Sequence, residues 1–407
     1  MDIRKYLSLK NAFIVSCLVC VILVSCSVVG GVMLKNKVQK STIVYKGQKA
    51  DEIIEKNKES SEKQEQTAET IKKEESSEEV IGALSNVESK EKEDKSSDMM
   101  NIAFLGEMMM GGQVGKNLNY VYSTAFKNIY TDINGADFTY TNFSTNITNL
   151  EKIENVKSKY LVNKEIVSAF RALGVDCVSL ASDHILDYPA DILNNTIQIL
   201  ENNDVFVAGR QNMPVYFEKD NKKIAIVSTN SVIIGTAKNY TKQDISIYTK
   251  ENLEKNIKEA KESADIVIAD IHWGREFEYG VTEQMKQIAT GAIDAGADMV
   301  IGSHALGVYP IVQYNGKPIV YSTGYLISDS NLYVAKESFI FNVQISKDKK
   351  IEKLIMTPTY INEKKEVLKY NEYDRAKSDA YLNQFNNWHL QNSLNSKIEN
   401  DKIVITF

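Results

Sequence analysis

Residues 264–329 decide the fold: they begin ADIVIADIHWGREFEY (264–279), continue through GADMVIGSHALGVYP (296–310) and end GKPIVYSTGYLISD (316–329). Two apolar, β-branched runs in this stretch each end on a histidine, His272 and His304. Between them, residues 282–295 have the spacing of an amphipathic helix, and Gly296 closes it. Strand, helix and strand in this order form a βαβ unit, whose polar residues collect where the strands end.

A third histidine stands in the same context earlier in the chain. The apolar run at 175–180 leads directly into Ala181, Ser182, Asp183 and His184. The chain has four histidines, and three of them follow a strand with the composition of a buried one. We therefore expect the functional residues at strand ends. His389 lies in the C-terminal tail without this context, and we predict that it lies on the surface.

Strand and helix patterns alternate from about residue 100 to residue 330. Such alternation predicts an α/β core with a substantial internal sheet. Residues 338–361 then alternate apolar and polar around the charged turn at 347–350, which predicts a hairpin. The tail after residue 362 predicts a helix that ends near Trp388 and a final strand at 403–407.

The composition is that of a globular protein. Of the 407 residues, 43% are hydrophobic and 25% are charged, and the net charge is −6. Basic runs are absent from the folded part, so we expect no nucleic-acid partner. Three of the four cysteines lie in the first apolar segment and only Cys177 remains, inside a strand, so we expect no disulfide framework.

The N-terminal region predicts a membrane anchor. Residues 12–34 carry no charge, and this length at ~1.5 Å per residue covers the ~30 Å hydrocarbon core of a bilayer. We expect residues 1–11 in the cytoplasm, residues 12–34 to span the membrane and the rest of the chain to lie outside the cell. The alternative is a lipoprotein cleaved before Cys26, although apolar sequence continues past that residue to Leu34.

Residues 35–99 are rich in Lys, Glu, Ser and Gln. Mixed charge and low hydrophobicity cannot bury enough surface to offset chain entropy. We therefore predict a charged, flexible linker here rather than a binding tail. A folded domain at 100–361 follows it, and residues 362–407 form a C-terminal helix and strand.

Histidines and carboxylates at strand ends are the groups that a hydrolytic metal centre needs. The candidate metal ligands are Glu107, Asp183, His272 and His304. His184 and Asp187 are candidates for proton transfer beside such a centre. Each residue alone has a structural alternative: a lone histidine at a strand end more often makes a structural hydrogen bond, and Asp183 and Asp187 could cap the helix that begins nearby.

Other motifs are weaker. Trp273 could contact a substrate, although packing in the core or at the rim is the commoner use of such a residue. Ser303 precedes His304, but no serine lies in a Gly-x-Ser-x-Gly turn, and Cys177 lies inside a strand where a thiol is inert. The glycine-rich stretch at 111–115 lacks the Lys-Ser/Thr of a phosphate-binding loop.

From residue 101 to about 330, and on toward 361, the order of motifs resembles the CapA family of bacterial capsule-synthesis proteins, which is associated with poly-γ-glutamate. The matching segments are Gly106-Glu107-Met108-Met109-Met110, Asn142-Phe143-Ser144-Thr145 with Ile147-Thr148, Ser179-Leu180-Ala181-Ser182-Asp183-His184 with Asp187, His272-Trp273-Gly274 with Glu278-Tyr279, Asp294 to Gly302 leading to His304, and the segments at 314–319 and 321–324.

The family is similar to calcineurin-like metallophosphoesterases, so the resemblance implies an α/β, four-layer α/β/β/α sandwich with a divalent metal, Mn, Zn or Fe, at the strand ends. It places the four candidate ligands at metal positions and His184 at the position of the catalytic histidine, with Asn142, Trp273 and Glu278 as substrate-binding candidates. Five positions depart from the family pattern. Glu107 stands in place of an Asp and Asp183 in place of an Asn, and both can still act as ligands. Ser144 replaces a bridging Glu, Leu306 replaces the second His of a His-x-His pair, and Tyr325 replaces an Asn. Such losses weaken a two-metal centre.

Two functional hypotheses follow from the resemblance. The first is an anchored, extracellular protein that takes part in making, exporting or attaching an anionic capsule polymer such as polyglutamate, with a metal-dependent hydrolase or transferase site. The second is a non-catalytic binding or scaffolding subunit of a membrane complex for polymer synthesis. In both, the expected partners are the polymer or its precursor, the membrane and other capsule-synthesis subunits.

Overall fold

The computed structural model describes residues 42–45, 99–149, 160–232, 245–275 and 280–407. In chain order its strands are β1 (Thr42–Tyr45), β2 (Met100–Met108), β3 (Phe138–Phe143), β4 (Asn146–Thr148), β5 (Leu161–Asn163), β6 (Cys177–Ser179), β7 (Phe206–Ala208), β8 (Val215–Lys219), β9 (Lys222–Asn230), β10 (Ile266–His272), β11 (Met299–Ser303), β12 (Ile311–Tyr314), β13 (Lys317–Val320), β14 (Tyr325–Ile327), β15 (Glu337–Ile345), β16 (Ile351–Ile361), β17 (Val367–Lys369), β18 (Asn395–Glu399) and β19 (Lys402–Thr406).

The α-helices are α1 (Gln113–Asn117), α2 (Tyr130–Ile133), α3 (Val167–Leu173), α4 (Ala190–Glu201), α5 (Lys250–Lys261), α6 (Glu283–Asp294), α7 (Tyr370–Tyr373) and α8 (Arg375–Gln391). Short 3-10 helices lie at Tyr122–Phe126, Lys164–Ile166, His184–Leu186 and Tyr333–Ala335.

Two large sheets contain most of the strands. Sheet 1 has the order β1-β8-β9-β10-β11-β13-β12, in which β9, β10, β11 and β13 run parallel. Sheet 2 has the order β18-β19-β16-β15-β2-β3-β6-β7, with β14 paired to β2 and β17 to β16. In sheet 2, β2, β3, β6 and β7 run parallel. The predicted α/β fold is therefore confirmed, with mixed sheets.

The two sheets pack face to face with helices outside them. Phe104 of sheet 2 and Ile268 of sheet 1 belong to one buried apolar cluster between the sheets. A second cluster joins the outer face of sheet 1 to α5 and α6 through residues such as Leu253. A third joins the outer face of sheet 2 to α3 and α4 through residues such as Phe170. The layers thus follow the order α/β/β/α.

The predicted βαβ unit is β10, α6 and β11. Helix α6 begins after Thr282, whose side-chain oxygen accepts a hydrogen bond from the backbone N–H of Met285 at 3.2 Å. In the parallel register, His272 lies opposite Ser303. His304 is therefore the first residue beyond the carboxyl end of β11, next to the end of β10.

The predicted flexible linker is wrong at one short segment. Strand β1 lies inside the predicted linker at 35–99 and pairs antiparallel with β8, so these four residues extend sheet 1. The helix and strand predicted within residues 362–407 are present as α8 and β19, and β19 pairs antiparallel with β16 in sheet 2. Apart from β1 and Met99, the linker lies outside the described residues.

The surface position predicted for His389 is also wrong. His389 is fully buried, in line along α8 with Tyr381 and Phe385, which belong to the apolar cluster between the sheets. The spacing of four residues places these three side chains on one face of the helix.

In the part of the chain that the structure describes, no helix is both long enough and apolar enough to cross a membrane. The predicted anchor at 12–34 and the alternative lipoprotein cysteine, Cys26, both lie outside that part.

Candidate metal centre

The candidate site lies where the parallel strands of the two sheets end. His272 is the last residue of β10, His304 directly follows β11, and Glu107 lies near the end of β2. Asp183 and His184 come after β6, where the 3-10 helix His184–Leu186 begins. All five side chains are buried, and the most exposed, His184, has 8% relative exposure. The folded chain therefore brings together residues that are up to 197 positions apart.

Asp183 is at the centre of the cluster. Its Oδ1 lies 3.1 Å from His272 Nε2, and its Oδ2 lies 3.7 Å from His304 Nδ1 and 3.3 Å from His184 Nε2. The side chain of Asp183 makes no capping hydrogen bond to the 3-10 helix that follows it. The capping alternative is thus not supported, and the carboxylate faces the histidines.

The surroundings shift the pKa values of His272, His304 and Asp183 in different directions. Burial by itself lowers the pKa of His272, but its hydrogen bond to Asp183 and the nearby carboxylates outweigh burial and raise that pKa. Burial and the neighbouring His272 lower the pKa of His304 to about 3. Burial opposes ionisation of Asp183, yet the hydrogen bond and charge of His272 lower the pKa of this carboxyl below its usual value. Asp183 is therefore a buried anion, and His304 offers a neutral imidazole.

His184 has a carboxylate on each side. Its Nδ1 lies 2.8 Å from Asp187 Oδ2, and its Nε2 faces Asp183. Burial lowers the pKa of His184, but the hydrogen bond to Asp187 and the charges of Asp183 and Asp187 raise it above the usual value. Tyr160 stacks on the imidazole, with ring centroids 3.4 Å apart. The predicted His184–Asp187 pair is present, and it is suited to hold a proton next to the cluster.

Glu107 contacts the cluster through hydrogen bonds. Its Oε1 accepts a hydrogen bond from the Ser144 hydroxyl at 2.5 Å, and its Oε2 accepts one from the backbone N–H of His304 at 3.0 Å. Burial raises the pKa of Glu107, although the charge of His272 opposes this shift. Ser144 thus stands beside Glu107, at the position where the family pattern has a carboxylate.

Three donors fit a metal ion. Asp183, His272 and His304 each offer one ligand atom, and these atoms lie within 4.8 Å of one another. Asp183 Oδ2 is buried and has no hydrogen-bond partner among the described residues, so a cation would satisfy it. Imidazole nitrogen and carboxylate oxygen are ligands for divalent zinc, iron and manganese. The donor set therefore fits one divalent transition-metal ion.

Two positions of the family's ligand pattern belong here to a buried apolar cluster, which we call the apolar wall. Leu306 and Tyr325 belong to a buried cluster with Met109, Ala335 and Ile361. In the family pattern these two positions carry a histidine and an asparagine, so two ligands of that pattern are missing from this chain.

The three residues predicted to contact the substrate differ in where they lie. Trp273 is fully buried on the outer face of sheet 1, and its indole N–H donates to the Tyr321 carbonyl at 2.8 Å. The core-packing alternative therefore applies to Trp273, and the substrate-contact prediction for it is wrong. Asn142 lies at the site, where its Oδ1 is 3.2 Å from the Ser144 hydroxyl. Glu278 lies outside the described residues.

Sequence reasoning missed two residues that shape the site. The hydroxyl of Ser303 lies 3.0 Å from His272 Nδ1 and so fixes the orientation of that imidazole. Its position opposite His272 in the parallel register was the available signal. Tyr160, which covers His184, is not part of any motif and had no signal.

Two comparisons with known proteins agree on the family, and a third finds a distant structural likeness. The family described as "Bacterial capsule synthesis protein PGA_cap" matches residues 101–330. The PGA biosynthesis protein CapA of Bacillus subtilis is 26% identical over 278 residues, which cover 64% of this chain and 72% of that protein. The capsule biosynthesis protein CapA of Bacillus anthracis is 26% identical over 266 residues, which cover 60% of this chain and 63% of that protein. Among solved structures, the NAD nucleotidase NadN of Haemophilus influenzae has a TM-score of 0.39 at 12% identity, and the match covers 70% of this chain and 62% of that one.

Proposed function

Since the chain belongs to the PGA_cap family of bacterial capsule synthesis proteins, we propose that it takes part in making, exporting or attaching an anionic capsule polymer of the poly-γ-glutamate type. The names of the relatives from Bacillus subtilis and Bacillus anthracis support this role. The proposed partners are the polymer or its precursor and other membrane subunits of capsule synthesis.

The proposal includes a metal-dependent hydrolase or transferase site of metallophosphoesterase type. The observation that carries it is the buried cluster of Asp183, His272 and His304, whose donor atoms lie within 4.8 Å of one another. These three residues would hold one divalent ion, which when bound lowers the pKa of a coordinated water and polarises a phosphoryl or carbonyl oxygen.

The other residues of the site would transfer a proton or hold the metal ligands and the substrate in position. Asp187 holds His184 through Nδ1, so the Nε2 of His184 is the atom that exchanges a proton with substrate or leaving group. The Asp187 carboxylate stabilises the protonated form of His184, which suits a general acid. Ser303 orients His272, and Asn142 is left to contact the substrate.

The test is metal binding by the full-length protein, purified in a mild detergent. We expect one equivalent of Zn²⁺ or Mn²⁺ by elemental analysis and calorimetric titration, and loss of that binding in His272→Asn. The matched control is His389→Asn, which changes a buried histidine of the C-terminal helix and should leave metal binding intact. If metal binds, release of glutamate from polyglutamate and of phosphate from phosphoesters identifies the bond that is cleaved.

A non-catalytic scaffold is the second candidate function, and the apolar wall at Leu306 and Tyr325 favours it. In that case the wild-type chain would bind no metal, and His272→Asn would leave the amount of surface polymer unchanged in cells. Metal-dependent turnover that His272→Asn abolishes would exclude the scaffold function.

We also propose that residues 12–34 anchor the chain, with the folded domain outside the cell. Mass spectrometry of the membrane fraction separates the two possible anchors. An intact N-terminus supports the spanning segment, whereas a lipid-modified Cys26 that disappears in Cys26→Ser supports the lipoprotein.

A further inference from the structure

We propose that Glu107 is a positioning residue that holds the backbone of His304, and not a ligand of the metal ion. This inference rests on the proposed metal centre and goes beyond it, since it assigns a different role to a carboxylate that the family pattern places among the ligands. It follows from the hydrogen bonds of Glu107 and from the backbone conformation of His304.

Each oxygen of Glu107 accepts one hydrogen bond. Oε1 accepts the Ser144 hydroxyl at 2.5 Å, and Oε2 accepts the His304 backbone N–H at 3.0 Å. The carboxylate has 1% relative exposure. Glu107 is also not a member of the group of donors, Asp183, His272 and His304, whose ligand atoms lie within 4.8 Å of one another.

The hydrogen bond with Glu107 stabilises a strained backbone conformation at His304. His304 has φ 86°, in the region that favours glycine and that L-residues with a full side chain rarely adopt. Such a conformation persists only where surrounding contacts hold it. The Glu107 carboxylate provides one of those contacts from the neighbouring sheet, 197 positions away in the chain.

The backbone conformation of His304 matters because it sets the direction of the imidazole, one of the three proposed metal ligands. His304 directly follows β11, and its Nδ1 lies 3.7 Å from Asp183 Oδ2. If the His304 backbone relaxed to negative φ, the side chain would leave this direction. Glu107 thus connects sheet 2 to a donor at the edge of sheet 1, and Asp183, His272 and His304 remain the only metal ligands that we assign.

Substitution of Glu107 by glutamine separates the two roles. In Glu107→Gln, the amide oxygen can accept the His304 N–H, and the amide nitrogen can donate to Ser144 Oγ. The hydroxyl of Ser144 can then donate to Asn142 Oδ1, which is 3.2 Å away. Gln therefore preserves the hydrogen bonds, while it removes the charge that a metal ligand at this position would supply. Glu107→Ala removes both.

Two measurements on the full-length chain in detergent test the proposal. The first is Zn²⁺ titration, in which we expect Glu107→Gln to keep the wild-type affinity and Glu107→Ala to lose roughly 10–100-fold, as is typical for an outer-shell partner. Glu337→Gln is the matched control: the Glu337 carboxylate accepts two tyrosine hydroxyls elsewhere in sheet 2, so its variant reports the general effect of a Glu-to-Gln change.

The second measurement needs no metal. Since the chain has four histidines, labelling with ¹⁵N-histidine gives at most four backbone amide signals, and single substitutions assign that of His304. We expect slow hydrogen exchange at this amide in the wild type and in Glu107→Gln, and fast exchange in Glu107→Ala.

The outcomes separate the two proposals. If Glu107→Gln loses zinc affinity as strongly as Glu107→Ala, Glu107 is a ligand and the inference is wrong. If the wild type binds no zinc, the proposed metal centre fails, while the exchange measurement still tests the contact with His304. Equal exchange at His304 in the wild type and Glu107→Ala overturns the positioning role. If Glu107→Ala does not fold, Ser144→Ala takes its place, with faster exchange at His304 expected because Glu107 then lacks its second anchor.

Discussion

His272 and His389 are both fully buried, yet their surroundings are opposite. His272 has a partner at each ring nitrogen, Ser303 at 3.0 Å and Asp183 at 3.1 Å. His389 has only a 3.5 Å contact from Nδ1 to the Ser396 hydroxyl, and its Nε2 has no partner among the described residues. The pKa of His272 is raised by its carboxylate partners against the effect of burial, whereas burial lowers the pKa of His389 to about 4.

The difference shows what makes a buried histidine functional in this fold. Burial alone produces a neutral ring that packs like an aromatic side chain, as His389 does beside Phe385. A carboxylate and a hydroxyl at the two nitrogens instead fix the direction of the ring and leave it able to bind a cation. The two histidines thus differ in the groups that contact their ring nitrogens. The substitutions below remove such groups, or the histidine itself, to test this difference.

The largest effect is expected from Asp183→Asn, which removes the carboxylate from His272 and the central donor of the cluster. We expect the affinity for zinc to fall by more than the roughly 100-fold that marks the upper end of outer-shell losses. Calorimetric titration measures it. Asp187→Asn is the matched control, because Asp187 contacts His184 but is not a member of the donor cluster. Equal losses in the two variants would mean that Asp183 is not a ligand.

A smaller effect is expected from Ser303→Ala, which leaves His272 with one partner. The imidazole loses the group that orients it, so zinc affinity should fall by about 10–100-fold. Ser338→Ala is the control, since Ser338 is also buried and donates a hydrogen bond, to the Thr323 carbonyl at 2.8 Å, outside the donor cluster. Unchanged zinc affinity in Ser303→Ala would show that Asp183 alone orients His272.

Much of the fold could be predicted from the sequence because its elements have strong local patterns. The runs that end at His272 and Ser303 are continuous and β-branched, and a helix-length amphipathic segment separates them, so a parallel βαβ unit was the natural interpretation. Parallel strands end at one edge of a sheet, and for that reason the convergence of His272 and His304 could be predicted as well.

What could not be predicted depends on contacts between distant segments. The stacking of Tyr160 on His184, the bond from Glu107 to His304 and the apolar wall around Leu306 join parts of the chain that no local pattern relates. Strand β1 consists of four residues that favour strands, but it is short and lies in a polar stretch, and no local pattern predicts its pairing with β8.

The burial of His389 could have been predicted from its four-residue spacing to Phe385 and Tyr381 on one helix. A change at His389 gives the smallest of the three expected effects. In the unfolded chain a histidine titrates near 6.5, whereas in the folded protein the pKa of His389 is about 4. The unfolded chain binds the proton more readily than the folded protein. The buried, neutral His389 therefore costs the protein no stability above about pH 6.5, but the free energy of unfolding decreases as the pH falls from 6.5 toward 4. Between pH 7 and pH 5.5 the loss should be about 1 kcal/mol.

Urea unfolding of the wild type and of His389→Leu at these two pH values measures this contribution. Other groups titrate in the same range, so the quantity that matters is the difference between the two proteins: the wild type should lose about 1 kcal/mol more than His389→Leu on acidification. Ser396→Ala keeps the histidine and removes its weak contact, so it should retain the pH dependence of the wild type. Equal acid sensitivity of the wild type and His389→Leu would mean that His389 gains a proton acceptor in solution, and the contrast with His272 would then disappear.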